Sequence, residues 1–348
     1  MRIGVVHTVG SPCQCAESVT AGLLTLGHEI VIVDSNAVEL RAASLAQECE
    51  LVIDHTDTCC GRGLYRPFVR LLLESCSARI VGSSAKACAI ADNKAISKRV
   101  LAEAGIPVPP GIVVQSSAWK LPEWLRPPLI IKPAFEHMSR GVCLIHSESE
   151  AQREVARLLN SLRQPVLVES YISGRELAVS VVGNSSSIQV LPVVEWLSGT
   201  EILTEDFKLL DPVEPSHQCV HADLDPLLEK QLVDFARRAF HALELRDYAR
   251  FDIRLSHGGS LYFLEANTTP SFEPMEALAI SAQWAGLSYA DLIALLLDAA
   301  QNRYDAAHSP DKNVAKVVVS SDTLELETPR GVHAPAESTI ELAGLLDI

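Results

Sequence analysis

The 348-residue sequence lacks long apolar runs, lacks an excess of basic charge, and lacks any cysteine pair at the spacing of a common zinc knuckle. Each absence narrows the field. No stretch approaches the roughly 20 apolar residues that a membrane-crossing helix needs, and the opening Met1-Arg2-Ile3-Gly4-Val5-Val6-His7 is too short for a signal peptide's core. The expected location is the cytoplasm, with no membrane partner. A formal net charge of -15 argues against nucleic acid or an anionic membrane, since both require a basic surface that neutralises phosphates. An anionic small molecule would need local islands of Lys and Arg. Nine cysteines, an odd number scattered over a long chain, fit reduced thiols better than a disulfide framework. Cys13-Gln14-Cys15 and Cys59-Cys60 are the local pairs, and without a two-residue spacer they read as buried or loop thiols.

What is present is apolar material: 48% of the residues, enough for a sizeable core and for two or three domains. Residues 1–90 alternate short apolar runs (Ile3 to Val6, Ile30 to Asp34, Leu51 to Asp54, Arg79 to Val81) with helical patterns (Ser18 to Leu26, Leu64 to Cys76), which predicts a small parallel α/β sheet. A helix is expected from about Asp92 to Ala104, stopped by Gly105 and the prolines that follow. From Leu129 the pattern turns to strands: Leu129 to Lys132, Val142 to Ile145, Val166 to Glu169, Glu176 to Val182 and Gln189 to Glu195. A helix from Pro226 to Leu243, a hairpin from Arg250 to Asn267 and a helix from Ser288 to Asn302 complete an α+β region. Residues 303–348 read as an appended tail, with an apolar run at Val314 to Val319 and a helical signal from Ser338 to Leu345. The expected domains are 1–90, 91–175, 176–302 and 303–348.

The hairpin carries the most chemical information. Gly258-Gly259 suits a two-residue turn, because both central positions of the favoured turn need positive φ. Pairing His257 with Ser260 then sets Asp252 opposite Glu265 and Arg250 opposite Asn267 on one face, with Phe251, Ile253, Leu255, Tyr262, Leu264 and Ala266 on the other. Two carboxylates opposed across a sheet repel unless a cation lies between them. Asp252, Glu265 and Asn267 offer hard oxygen ligands, which suit magnesium. The alternative is a solvated acidic face with one acid paired to Arg250 or Arg254.

The run from Phe251 to Arg254 and on through Phe263-Leu264-Glu265-Ala266-Asn267-Thr268-Thr269-Pro270 resembles the metal-binding hairpin of the D-alanine:D-alanine ligases and their ATP-grasp relatives. Other segments agree in order: Gly82 to Lys98 with Gly105 to Pro109, Ile130-Ile131-Lys132-Pro133, and Val168 to Glu176. The resemblance implies an ATP-grasp fold behind an N-terminal parallel-sheet domain, and an ATP-dependent ligase that joins a carboxylate to an amine through an acyl-phosphate. It implies ATP with Mg2+, for which Mn2+ can stand in, held by Asp252, Glu265 and Asn267. Lys94, Lys132 and the loop lysine Lys208 would meet the phosphates, with Ser139 in the glycine-rich loop. Glu169, Glu176 and the backbone at Ile172 would meet adenosine. Arg250 would steady the tetrahedral oxyanion, as a fixed guanidinium facing developing charge does. His55 and Ser271 would lie near the substrates. The resemblance also allows a homodimer.

Departures from that pattern bear on specificity. The glycine-rich loop reads Glu136-His137-Met138-Ser139-Arg140-Gly141, so one of two expected serines is Met138, and Leu209 replaces the tyrosine after Lys208. Glu276 stands where a serine would cradle the second substrate's carboxylate, and a carboxylate there would repel one. The acceptor expected is an amine that is basic or lacks a carboxylate at this spot. Four readings follow: a specialised amino-acid or peptide ligase, as in natural-product pathways; a cell-wall D-alanine:D-alanine ligase; a ring-closing ATP-grasp enzyme; and a non-catalytic nucleotide-binding protein.

Overall fold

In the computed structural model, residues 1–11, 13–197, 201–202, 218–308, 317–319 and 324–326 are described. Short apolar strands alternating with helices build a parallel sheet of order β2-β1-β3-β4, from β1 Arg2–His7, β2 Glu29–Asp34, β3 Leu51–His55 and β4 Ile80–Val81. Helices α1 Cys15–Thr25, α2 Val38–Glu48 and α3 Arg66–Ser75 connect them. Every residue of β3 is buried, so its polar end needs partners. Asp54 finds one in Arg70 of α3, whose Nε lies 2.9 Å from its carboxylate, while Arg70 also donates to the Asp54 and Ser83 carbonyls.

The helix expected from about Asp92 to Ala104 is α5 Lys94–Glu103, and a helix not anticipated, α4 Ala85–Asp92, precedes it. They part at Asn93, whose side chain accepts from the amides of Ala95 and Ile96 and so caps α5. An antiparallel sheet follows, ordered β5-β8-β6-β7, from β5 Gly111–Val114, β6 Leu129–Pro133, β7 Cys143–Ile145 and β8 Val166–Ser170. One face packs on α6 Glu148–Leu162 through Leu129, Ile131, Val166 and Val168. Strand alternation turns Ile130 and Lys132 the other way.

The third sheet is ordered β12-β11-β9-β13-β14, with β10 also on β9. Its strands are β9 Gly174–Val182, β10 Gln189–Val190, β11 Val194–Leu197, β12 Gln218–His221, β13 Tyr248–Ser256 and β14 Leu261–Asn267. The single strand expected from Gln189 to Glu195 is divided between Val190 and Val194, where Pro192 has no N–H for a ladder. Helix α7 Pro226–Ala242 covers one face, and α8 Ala277–Trp284 and α9 Tyr289–His308 follow. Helix α9 runs beyond the expected end at Asn302, and Arg303 pairs with the fully buried Asp247 at 2.8 Å. Residues 1–304 form one unit and 305–348 a second, in which β15 Val317–Val319 pairs antiparallel with β16 Leu324–Leu326. The helical signal from Ser338 to Leu345 lies outside the described residues. Among the described residues no single helix is long and apolar enough to cross a membrane.

The β13–β14 hairpin pairs Asp252 with Glu265 and Arg250 with Asn267, as the register argument required. Its turn differs. Ser256, not His257, pairs with Ser260, which leaves a three-residue loop with Gly259 at φ 81°. A bulge beyond Asp252 restores the carboxylate pairing by giving β14 one extra residue, Leu264. The face opposite the carboxylates therefore carries Leu261, Phe263 and Ala266 in the core, rather than Tyr262 and Leu264.

Candidate active site

A cleft of about 760 Å³ opens between the second and third sheets. Lys132 reaches it from β6, Glu169 from β8, Glu176 from β9, Asp252 from β13 and Glu265 from β14. Lys94, Ser139 and Ile172 also line it. The bulge has a direct consequence here, since it turns two consecutive residues, Leu264 and Glu265, into the cleft. One supplies an apolar wall and the other a carboxylate.

Lysines and carboxylates are interlocked in this space. Glu169 lies 2.7 Å from Lys98 Nζ and 3.0 Å from Lys132 Nζ, and all three residues are buried. Burial alone would raise the Glu169 pKa, but Lys132 and Lys98 together hold it below the ordinary carboxylate range. Burial pulls the Lys98 ammonium down to about 7 despite Glu169. For Lys132, burial is outweighed by Glu169 and Glu265, and its pKa rises. Lys94 stands 3.5 Å from Glu265 and also donates to the Glu136 carbonyl, with burial as the main cause of its lowered pKa. Arg254 secures the neighbouring end of the cleft, 3.0 Å from Glu176, while donating to the carbonyls of Gly174 and Glu201.

Arg250 grips Asp252 in a two-pronged ion pair, Nε to Oδ1 at 2.7 Å and Nη2 to Oδ2 at 3.0 Å. Although burial opposes it, the charge of Asp252, and then those of Glu276 and Glu265, raise the Arg250 pKa. The ion pair anticipated as the alternative to metal binding is thus present. The oxygen donors still suit a hard divalent ion: Asp252 and Glu265 are cross-strand partners, Asn267 lies on the same face two residues further along β14, and basic side chains meet both carboxylates.

His55 and Ser271 belong to a second cluster. His55 is buried at the end of β3, packs on the Phe272 ring at 5.2 Å and has Nε2 3.9 Å from Cys13 Sγ. Ser271 Oγ lies 3.3 Å from Cys15 Sγ. Cys15 is shifted toward the thiolate, chiefly by the Cys13 thiol and then by His55, and Cys13 is correspondingly shifted upward. Burial would lower the His55 pKa, but Cys15 raises it.

Of the residues proposed from the sequence, eight therefore share the cleft: Lys94, Lys132, Ser139, Glu169, Ile172, Glu176, Asp252 and Glu265. Arg250 and Asn267 adjoin it through β13 and β14. Lys208 and Leu209 fall outside the described residues. Lys98, Arg254 and Leu264 were not anticipated as site residues. Lys98 could have been found, since it follows Lys94 by one helical turn and shares its buried face. Leu264 could not, because its orientation depends on the bulge.

Two antiparallel sheets closing on a lysine-lined cleft, with paired carboxylates on one wall, define a nucleotide-dependent ligase of the ATP-grasp class. Residues 100–298 match the family described as D-ala D-ala ligase C-terminus. The chain is 32% identical over 322 residues to the protein y4sG of Sinorhizobium fredii, covering 86% of this chain and 94% of that one. It is 31% identical over 221 residues to the D-alanine–D-alanine ligase of Desulfotalea psychrophila, covering 62% and 68%. Its fold matches the crystal structure of Bacillus anthracis D-alanine–D-alanine ligase complexed with ATP, with TM-score 0.72 and 23% identity over 88% of this chain and 99% of that one. The chain belongs to the D-alanine–D-alanine ligase family and is an ATP-dependent carbon–nitrogen ligase.

Proposed function

We propose that this ligase activates a substrate carboxylate as an acyl-phosphate and transfers it to an amine in specialised-metabolite biosynthesis, releasing ADP and phosphate. The observation that carries the reading is the cleft in which Lys94 and Lys132 face the cross-strand carboxylates Asp252 and Glu265, with Arg250 paired to Asp252 beside them. Lys94 and Lys132 bind and orient the phosphates of ATP, Ser139 steadies them, and Lys208 would add a third positive charge. Glu169, Ile172 and Glu176 hold adenosine. Asp252, Glu265 and Asn267 would hold Mg2+, which when bound supplies neutralising charge to the transferring phosphate. Arg250 meets the oxyanion that forms as the amine attacks, and His55, Ser271 and Glu276 shape the substrate side.

Glu276 decides the acceptor. A carboxylate beside the site of attack repels an acceptor's own carboxylate, and such like-charge contacts cost several kcal/mol. It favours a basic amine, or one without a carboxylate at that spot. The names of the relatives support a second reading, D-alanine:D-alanine ligation. The purified chain with Mg-ATP and pools of L- and D-amino acids and simple amines, followed by ADP release and product mass, separates the two. ADP release that needs two substrates and disappears in Asp252→Ala is expected. With Glu276→Ser, preference should move by at least tenfold toward acceptors bearing a carboxylate. An unchanged acceptor order would remove Glu276 from the specificity argument, and ATP binding with no ADP release in any pool would sink the amino-acid ligase reading.

A further inference from the structure

Three soft ligands converge away from the nucleotide cleft. Cys13 and Cys15 flank Gln14, the N-cap of α1, and His55 ends β3 beside them. Their sulfur and ring-nitrogen atoms all lie within 4.8 Å of one another, with Cys13 Sγ 3.9 Å from His55 Nε2. A tetrahedral zinc ion, with Zn–S of ~2.3 Å and Zn–N of ~2.0 Å, holds such ligand atoms about 3.5–3.8 Å apart. Only small side-chain rotations separate the observed cluster from that geometry. We propose that Cys13, Cys15 and His55 bind a thiophilic divalent cation of the zinc class.

The surroundings prepare these atoms for a metal. Both sulfurs accept backbone N–H groups, Cys13 Sγ from Cys15 at 3.4 Å and Cys15 Sγ from Phe272 at 3.2 Å. Accepting is the role of a thiolate ligand, and amides aimed at sulfur are the outer-shell support that metal thiolates use. Glu273 Oε1 lies 4.0 Å from Cys15 Sγ, and the Gln14 amide fixes that oxygen at 2.9 Å. His55 is 4% exposed and faces Cys13 through Nε2, while its Nδ1 has no hydrogen-bond partner among the described residues. Three protein ligands leave one tetrahedral position open. The ion ties the β1–α1 connection to the end of β3, next to Ser271. Soft sulfur and nitrogen donors separate the site chemically from the hard oxygen set of Asp252, Glu265 and Asn267. The inference stands on this cluster alone and does not depend on the acceptor proposed above.

The test is a Co2+ titration of the full chain, reduced and stripped of metal. The expected result is a near-ultraviolet thiolate-to-cobalt charge-transfer band that saturates at about one ion per chain and is displaced by Zn2+. The band should be lost in Cys15→Ser, weakened or shifted in His55→Ala, and unchanged in Cys60→Ser. It should also persist in Asp252→Ala, which distinguishes this site from the phosphate-binding one. No band in the reduced wild-type chain, which requires no variant to fold, would overturn the site. So would a band that survives when Cys13 and Cys15 are both replaced by Ser.

Discussion

Glu169 sits between two ammonium groups, Lys98 at 2.7 Å and Lys132 at 3.0 Å; burial disfavours the charge on both lysines, and only at Lys132 do the carboxylates outweigh it. Lys132 faces Glu265 as well as Glu169 and stays charged, whereas Lys98 falls to about 7 from an ordinary value of 10.5. At pH values between those two, the unfolded chain holds a proton on Lys98 that the folded chain has given up. Stability therefore rises with pH through this group's window, by up to about 1.4 kcal/mol per pH unit. Lys98→Met should flatten that rise between about pH 7 and pH 9, where cysteine titration contributes equally to both proteins and cancels in the comparison. Urea denaturation of both proteins across that range checks it, and parallel stability curves would show that Lys98 is not the titrating group. Because Lys132 remains beside Glu169, the same variant should keep measurable ATP binding, whereas Lys132→Met should weaken it by about 10- to 100-fold in equilibrium binding.

At the scale of elements, the first sheet is held to its helices by charge as well as by apolar packing. Arg70 and Asp54 are 1% and 3% exposed, and the guanidinium also satisfies two backbone carbonyls. Arg70→Met should destabilise the protein by about 3–5 kcal/mol, because it leaves a buried carboxylate without its counter-ion. Adding Asp54→Leu should recover part of the loss, and a double-mutant cycle in chemical denaturation measures the coupling. Neither residue stands out in the sequence, where Asp54 merely ends an apolar strand. The parallel sheet itself was legible, since its strands are short apolar runs separated by helical patterns. The carboxylate pairing across β13 and β14 was legible too, because polar alternation and a glycine turn constrain register. The loop length and the bulge were not. They offset each other, so Asp252 still meets Glu265 while Tyr262 and Leu264 change faces. Alternation alone cannot see two compensating irregularities in one hairpin, and a single-residue slip moves every side chain between them. Likewise, the sheet contacts that unite Lys98, Lys132 and Glu169 come from segments far apart in sequence, so only the family resemblance brought two of the three to notice.

At the scale of the molecule, the cleft joins two sheets, of which the third brings more acidic charge than the second. The second sheet brings Lys132 and the third brings Asp252 and Glu265, within a chain whose formal net charge is -15. ATP alone would set its phosphates against that acidic wall, whereas ATP with Mg2+ lets both walls engage at once. Ligand that binds the folded chain alone stabilises it by about 2.7 kcal/mol at a hundred times its Kd. For a chain of this size that corresponds to a rise of about 4 °C in Tm. Mg-ATP should produce such a rise, and EDTA should remove most of it. In Asp252→Ala the melting temperature with ATP should no longer respond to Mg2+, although the lysines still bind some nucleotide. Differential scanning calorimetry under the four combinations of nucleotide and chelator reads these differences directly. An equal rise with and without EDTA in the wild-type chain would mean that the lysines alone hold ATP, and that the acidic pair answers to Arg250 rather than to a metal.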